Sequence, residues 1–317
     1  MKDHKIVAIV GATGAQGGGL ARAVLADPAR VFSVRAVTRR PESGPARALA
    51  ARGADIVAAD LDRAETLKRA FEGVDAAFCV TNFWEHHSPE RELAQAAAMA
   101  QAAKDAGVAH VIWSTLEDAR LSVPLESSQM PTLMGHYKVP HFDAKGEANS
   151  EFIGRGLPTT FLLTSFYWDN FIGFPGMGPR RAGGGELTLS LPMGDKKLPG
   201  IAAEDIGRCA YGILKGGHRY VGQMVGIAGE HLTGMQLASA LSRALGQTVQ
   251  YEDVSPEVYR TFDFPGAQDL ANMFQFKRDF QDVFCGARSV ELSRQLNPLL
   301  QTFDRWLSDN KTRISLD

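Results

Sequence analysis

From Ile6 to Val10 the chain is unbroken in apolar, mostly β-branched side chains, which predicts a strand buried on both faces. The run feeds into a glycine-rich turn, after which Gly19 to Ala26 reads as helix. The alternation then repeats, with Phe32 to Thr38 as strand, Glu42 to Arg52 as helix, Asp55 to Ala59 as strand, and Ala64 to Phe71 as a helix closed by Gly73. Asp75 to Thr81 supplies a fourth strand, the alanine-rich Glu90 to Asp105 a helix stopped at Gly107, and Val108 to Ser114 a fifth strand. Strands and helices alternating at this spacing mean βαβ crossovers, hence a parallel sheet covered on both faces.

After Thr115 a loop rich in Ser, Pro and Met runs to about Pro140, and His141 to Arg155 resumes as one helix. Long loops inside a compact domain are usually functional. Leu157 to Leu163 reads as strand, Gly173 to Gly185 as a flexible excursion, and Leu187 to Leu191 as hairpin-like. Ala202 to Lys215 is helical, with Glu204 and Asp205 placed to complement the dipole of its first turn. Val221 to Gly226 is a candidate to rejoin the sheet; beyond Thr233 the chain is mostly helical and ends in an amphipathic stretch around Phe303, Trp306 and Leu307. The expected architecture is α/β: a Rossmann-type doubly wound parallel sheet in residues 1–156, and a smaller, mostly helical second domain in 157–317, with about 196–230 returning to the sheet.

With 317 residues and 44% apolar content the chain can bury one large core or two modest ones. A net charge of -2, with no dense Lys/Arg block, speaks against nucleic acid as a direct ligand. Cys79, Cys209 and Cys285 lie far apart and show none of the paired spacings of metal sites or disulfide frameworks, so no metal is expected and a reducing cytoplasm fits best. No apolar run approaches the roughly 20 residues that cross a bilayer. The start, Met1 to Lys5 before Ile6, imitates a charged leader, but the apolar stretch is short and reads as the first strand. Apolar helices near the C-terminus make a homodimer plausible.

Gly11-Ala12-Thr13-Gly14-Ala15-Gln16-Gly17 stands where a buried strand ends and a helix begins, where free backbone N–H groups and the positive end of the dipole can hold a pyrophosphate. Gly11 permits the tight turn, Gly14 lets backbone approach the phosphates, and Gly17 lets helix and strand pack closely. At the end of the second strand, where an acid would select NAD, stand Arg39 and Arg40, with no acidic neighbour before Glu42; they favour NADP(H), the plainer alternative being a solvated basic pair on an exposed loop. Asp60 either meets the adenine edge or caps the helix ahead of Arg63.

Hydride-transfer enzymes of the short-chain dehydrogenase type use Tyr and Lys four apart on a helix, with a Ser at the end of the fifth strand. Here the only Tyr-x-x-x-Lys, Tyr211 to Lys215, falls too late and reads as coincidence. At the expected place stands His141-Phe142-Asp143-Ala144-Lys145, with Ser114 correctly located. Lys145 can still bond the nicotinamide ribose, while the usual proton donor is absent; His141 or Tyr137 could substitute, though His141 as a plain helix residue is the simpler reading. Cys79 reads as a core thiol, and His86-His87 as a surface pair with no third ligand.

The glycine turn, the Thr38-Arg39 strand end, Thr81-Asn82-Phe83-Trp84, His141 to Glu147, and Phe264-Pro265-Gly266-Ala267-Gln268-Asp269-Leu270-Ala271-Asn272-Met273-Phe274 together resemble the NmrA-like family, nearest its NADPH-sensor branch, over nearly the whole chain. The resemblance implies an atypical short-chain dehydrogenase fold that binds NADP(H), lacks the usual tyrosine, and acts in related regulators as a redox sensor whose partner binding follows cofactor occupancy. By position it implies Gly11 to Gln16 at the pyrophosphate, Arg39 at the 2′-phosphate, Thr81, Asn82 and Phe83 on the adenosine and ribose side, Lys145 at the nicotinamide ribose, and Tyr167, Trp168, Asp169 and Asn170 around the nicotinamide. The missing tyrosine favours the first of two functions. One is an NADP(H)-dependent sensor that answers to a regulatory protein partner. The other is an NADPH-dependent reductase of a quinone, enone or polyketide-like small molecule, resting on Ser114, Lys145, Tyr137, His141 and the aromatic-rich second half.

Overall fold

The computed structural model describes residues 4–181 and 185–316. Ala182 to Gly184 of the expected excursion, and Met1 to Asp3 of the charged start, lie outside the described residues.

Thirteen strands are described: β1 (Lys5–Val10), β2 (Phe32–Thr38), β3 (Asp55–Ala58), β4 (Ala76–Cys79), β5 (His110–Thr115), β6 (Thr159–Leu163), β7 (Phe166–Tyr167), β8 (Arg180–Arg181), β9 (Leu187–Ser190), β10 (Lys197–Ile201), β11 (Met224–Gly226), β12 (Glu230–Thr233) and β13 (Val249–Glu252). Seven form one parallel sheet in the order β11-β6-β5-β4-β1-β2-β3. Two strands beyond residue 156, β6 and β11, therefore belong to it. Strand alternation sets its two cores. Val7 and Ile9 face the helices Ala15–Ala26 and Ala203–Gly216, whereas Ala8 and Val10 face Leu67, Phe71 and Met99 on the other side. The two helices on the first face touch closely, since a Cβ on Gly207 would fall 2.0 Å from the Leu20 backbone nitrogen.

The remaining strands form two three-stranded sheets, β12-β10-β7 and β13-β9-β8. The stretch around Leu187 is thus a hairpin partner of β8 on one side and parallel to β13 on the other. Lys197–Ile201 lies in the small sheet rather than the large one. A third apolar cluster fills this second lobe and includes Phe142, Phe166, Phe274, Phe303 and Trp306.

Three expectations change. The first helix begins at Ala15, directly on the glycine turn, because the close packing of buried Gly17 and Gly19 overrides the low helix propensity of the glycine run. The single helix expected over His141 to Arg155 is two, Pro140–Glu147 and Asn149–Gly154. The Thr115 hydroxyl, 3.0 Å from the Lys145 carbonyl and 2.8 Å from Asn149 Oδ1, competes for the bond that would have joined them. The amphipathic stretch near the C-terminus turns its apolar side inward: Phe303, Trp306 and Leu307 are buried within the second lobe and offer no free face themselves. Among the described residues no helix is long and apolar enough to cross a membrane.

Candidate functional site

At the carboxyl ends of β1 and β4 the chain runs off to opposite sides of the sheet, the crevice where open α/β sheets bind ligands. A cleft of about 690 Å³ opens there, lined by Gly11, Thr13, Gly14, Ala15, Gln16 and Gly17 at its base. Gly11 adopts φ +64° and its carbonyl accepts the Gly14 N–H at 2.8 Å, which curls the turn. A Cβ on Gly17 would fall 2.5 Å from that carbonyl, so only glycine lets the helix start so near the strand. The bare cradle at the helix start fits a diphosphate.

Arg39, Asp60, Asn82 and Phe83 line one end of the cleft. Arg39 has no acidic neighbour in sequence, but in space its guanidinium pairs with both oxygens of Glu85. The local reading of an unpaired arginine is corrected by a carboxylate 46 residues away. Asp60 does not cap the following helix, whose N-cap is Arg63; its carboxylate accepts the Asp62 N–H at 3.1 Å and it borders the cleft.

In the middle, Lys145 Nζ lies 2.6 Å from Glu92 Oε1 and donates to the Thr81 hydroxyl at 2.5 Å, and that hydroxyl in turn bonds Glu92. Burial pushes the Glu92 carboxyl up; the Lys145 ammonium, with bonds from His86, Lys145 and Thr81, outweighs burial and holds it at about 2. His86 is no surface residue: its ring is buried with Nε2 3.5 Å from Glu92 Oε2, because the short helix Phe83–Glu85 turns it inward.

Ser114 does not border the cleft. Its hydroxyl donates to Gln16 Oε1 at 2.8 Å, and Gln16 Nε2 donates to the Tyr167 hydroxyl at 2.6 Å, so Ser114 is linked to the cleft lining through Gln16. Tyr167 and Asn170 line the cleft. The structure turns Trp168 and Asp169 away from it: the indole packs on Phe303 and Trp306, and the carboxylate accepts the Ala203 N–H at 2.8 Å. The turn after β7 separates these neighbours. Tyr137 is likewise elsewhere, its ring under the Arg120 guanidinium at 5.2 Å. Tyr211 is remote too, its hydroxyl bonded to Asp27.

At the far end the sheet meets the second lobe. His141 Nδ1 lies 2.6 Å from Asp269 Oδ1, and the His141 backbone N–H donates to Asp269 Oδ2 at 3.2 Å. The imidazole packs on Trp84, with ring centroids 4.7 Å apart, and borders the cleft. Nδ1 is thus engaged by Asp269 while the ring edge faces the cleft. Beyond it Phe142, Phe166, Phe174, Met177, Leu270 and Met273 wall an apolar chamber, with Lys277 among them. Four residues escaped the sequence reading as site members: Glu85, Glu92, Asp269 and Lys277. Only Asp269 and Lys277 carried a signal, as polar side chains on an otherwise apolar helix face.

Fold and cleft together define a Rossmann-type α/β protein whose second lobe closes one end of a dinucleotide-shaped crevice. The NmrA-like family profile matches residues 3–307, and the chain belongs to the NmrA-like family. It is 30% identical, over 86% of its own length and 83% of the relative's, to the NmrA-like family domain-containing oxidoreductase FrzB of Cladobotryum sp. Among solved structures it is similar in fold to NmrA, a negative transcriptional regulator, in complex with NADP (TM-score 0.79, 24% identity, 97% of this chain and 95% of that one). It is also similar to the Citrobacter sp. triphenylmethane reductase complexed with NADP(H) (TM-score 0.74, 21% identity, 96% and 99%).

Proposed function

We infer that the chain binds NADP(H) in this cleft and reduces a flat, conjugated carbonyl compound of the quinone, enone or polyketide-like kind. The single observation that carries the reading is the His141–Asp269 pair at the mouth of an apolar chamber continuous with the cleft. A chamber of that lining suits a planar organic acceptor and excludes water from the reacting face.

The roles follow from position. The turn Gly11 to Gly17 holds the pyrophosphate, Arg39 the 2′-phosphate, Asp60 the adenine edge, and Thr81, Asn82 and Phe83 the adenosine side. Lys145, fixed by Glu92 and Thr81, bonds the nicotinamide ribose, while Tyr167 and Asn170 border the ring. Bound NADPH supplies the hydride. As the imidazolium, with Nδ1–H donated to Asp269, His141 gives its Nε2 proton to the carbonyl oxygen as negative charge gathers there, and Asp269 both orients the ring and favours the doubly protonated form. With Cys79, Cys209 and Cys285 all unpaired, we assign this work to a reducing cytoplasm.

The test is loss of NADPH absorbance against a panel of quinones and enones. Multiple turnovers that vanish in Lys145→Ala and weaken in His141→Phe are expected; NADPH binding without turnover on any acceptor overturns the reading. One observation favours the sensor instead. Arg39 and Glu85 join the two rims of the cleft, so a 2′-phosphate that recruits Arg39 frees the Glu85 loop. Absence of turnover, together with an NADP-dependent change in protease sensitivity or partner binding, decides for regulation.

A further inference from the structure

The helix Ala267–Asp279 carries Lys277 into the second lobe, where the residue is 3% exposed yet borders the chamber. Its Nζ lies 5.3 to 5.9 Å from the ring centroids of Phe142, Phe166, Phe274 and Phe284. The polar atom at hand is the Met273 thioether sulfur at 3.2 Å, a weak acceptor. Among the described residues no ion pair joins Lys277 to a carboxylate, in contrast to Lys145, which has Glu92. Two charged groups reach it from neighbouring elements, Arg288 and Glu117, and they are engaged with each other, Arg288 Nη2 to Glu117 Oε2 at 2.9 Å. Aromatic faces soften the burial of an ammonium but cannot accept its three hydrogen bonds. Burial therefore pushes Lys277 down to about 7, Arg288 adding to the effect and Glu117 opposing it. For packing alone a methionine would serve better, because a buried charge without a partner costs free energy.

We propose that Lys277 is the anion-recognition point of the chamber, and that the ligand taken there is a flat, largely apolar molecule carrying one anionic oxygen, a carboxylate or phenolate. This deepens the reductase reading and rests on it for the role of the chamber as substrate site. An incoming anion supplies the missing partner, so above neutrality the neutral amine takes a proton from solvent as the ligand binds and the pair forms as ammonium and oxyanion.

The test is calorimetric titration of the protein saturated with NADP+, at pH 8 in two buffers of different ionisation heat, with 2-naphthoate and methyl 2-naphthoate as probes. Naphthoate is expected to bind at least tenfold more tightly than its ester, with net proton uptake. Lys277→Met is expected to keep or raise the melting temperature, to bind the ester as before, and to lose both the preference and the uptake. Naphthoate binding no tighter than the ester, or Lys277→Met retaining the preference, overturns the proposal. These are binding measurements: a protein that shows the naphthoate preference but turns over nothing sinks the reductase reading alone.

Discussion

Arg39 and Glu85 face each other across the rim of the cleft, guanidinium against carboxylate, each half exposed. On the proposed reading, a 2′-phosphate claiming Arg39 has to displace or share it with Glu85, so the acid would oppose any selectivity the arginine provides. Two unit charges about 4 Å apart in water repel by roughly 1 kcal/mol, about fivefold in affinity. Glu85→Gln is accordingly expected to tighten NADPH about fivefold with little change for NADH, and Arg39→Glu to abolish any NADPH preference. Fluorescence titration of both variants with both nucleotides checks this; unaltered curves remove Arg39 from the 2′-phosphate site.

The His141–Asp269 pair predicts a split between chemistry and cofactor binding. Asp269→Asn keeps an oxygen for the His141 backbone N–H but no longer holds Nδ1 with a charge. A positioned acid supplies about 10²–10⁴ in rate, and loosening it is expected to cost roughly 10–100-fold in kcat on any accepted quinone. NADPH affinity stays within about twofold of wild type, since Asp269 does not border the nucleotide end. Steady-state kinetics beside a nucleotide titration measures both; an unchanged kcat excludes the pair from proton transfer.

The parallel sheet was legible because strands covered on both faces are continuous apolar runs, and Ile6 to Val10 and Ala76 to Cys79 are such runs. The small sheets were not: β7 has two residues, and β10 carries Pro199 and Gly200 in its middle, so neither shows a period. Of the cleft lining, what local spacing encodes was readable, namely the glycine turn, Lys145 and the strand-end arginine. Partners set by tertiary contact were not. Glu92 lies in the first turn of the helix Pro89–Asp105, where an acid needs no partner to be explained, yet its side chain is wholly buried against Lys145. Lys277 had a signal in the sequence, since Leu270, Phe274 and Lys277 share one helical face and an apolar residue is expected there.

Asp143 gives a pH dependence of unusual sign. Its buried carboxylate accepts N–H bonds from Ala119, Lys138 and Val139 and so pins the ends of the long loop. Burial nonetheless pushes it up to about 6. A carboxyl that holds its proton more tightly when folded stabilises the protein at low pH. That contribution fades as pH rises from the ordinary value near 4 through 6, by about 2–3 kcal/mol in all. Asp143→Asn cannot accept at both oxygens and is expected to be less stable throughout, but the gap from wild type narrows between pH 4 and pH 6. Melting curves across that range check it; a constant gap shows that Asp143 does not titrate there.

Glu92 is the opposite case, because Lys145 and Thr81 hold its folded value down at about 2. The stability it provides is complete above its ordinary value near 4.3 and is lost as pH falls toward 2, about 3 kcal/mol in all. Glu92→Gln leaves the Lys145 ammonium buried without its carboxylate, a loss of about 3–5 kcal/mol at pH 7. Replacing both members, Glu92→Gln with Lys145→Met, removes the stranded charge and is expected to recover much of that loss while NADPH binding stays weak. Denaturant melts at pH 7 and pH 3 separate these outcomes. If the double variant is no more stable than Glu92→Gln alone, the two residues are not coupled as an ion pair, and the placement of Lys145 has to come from Thr81.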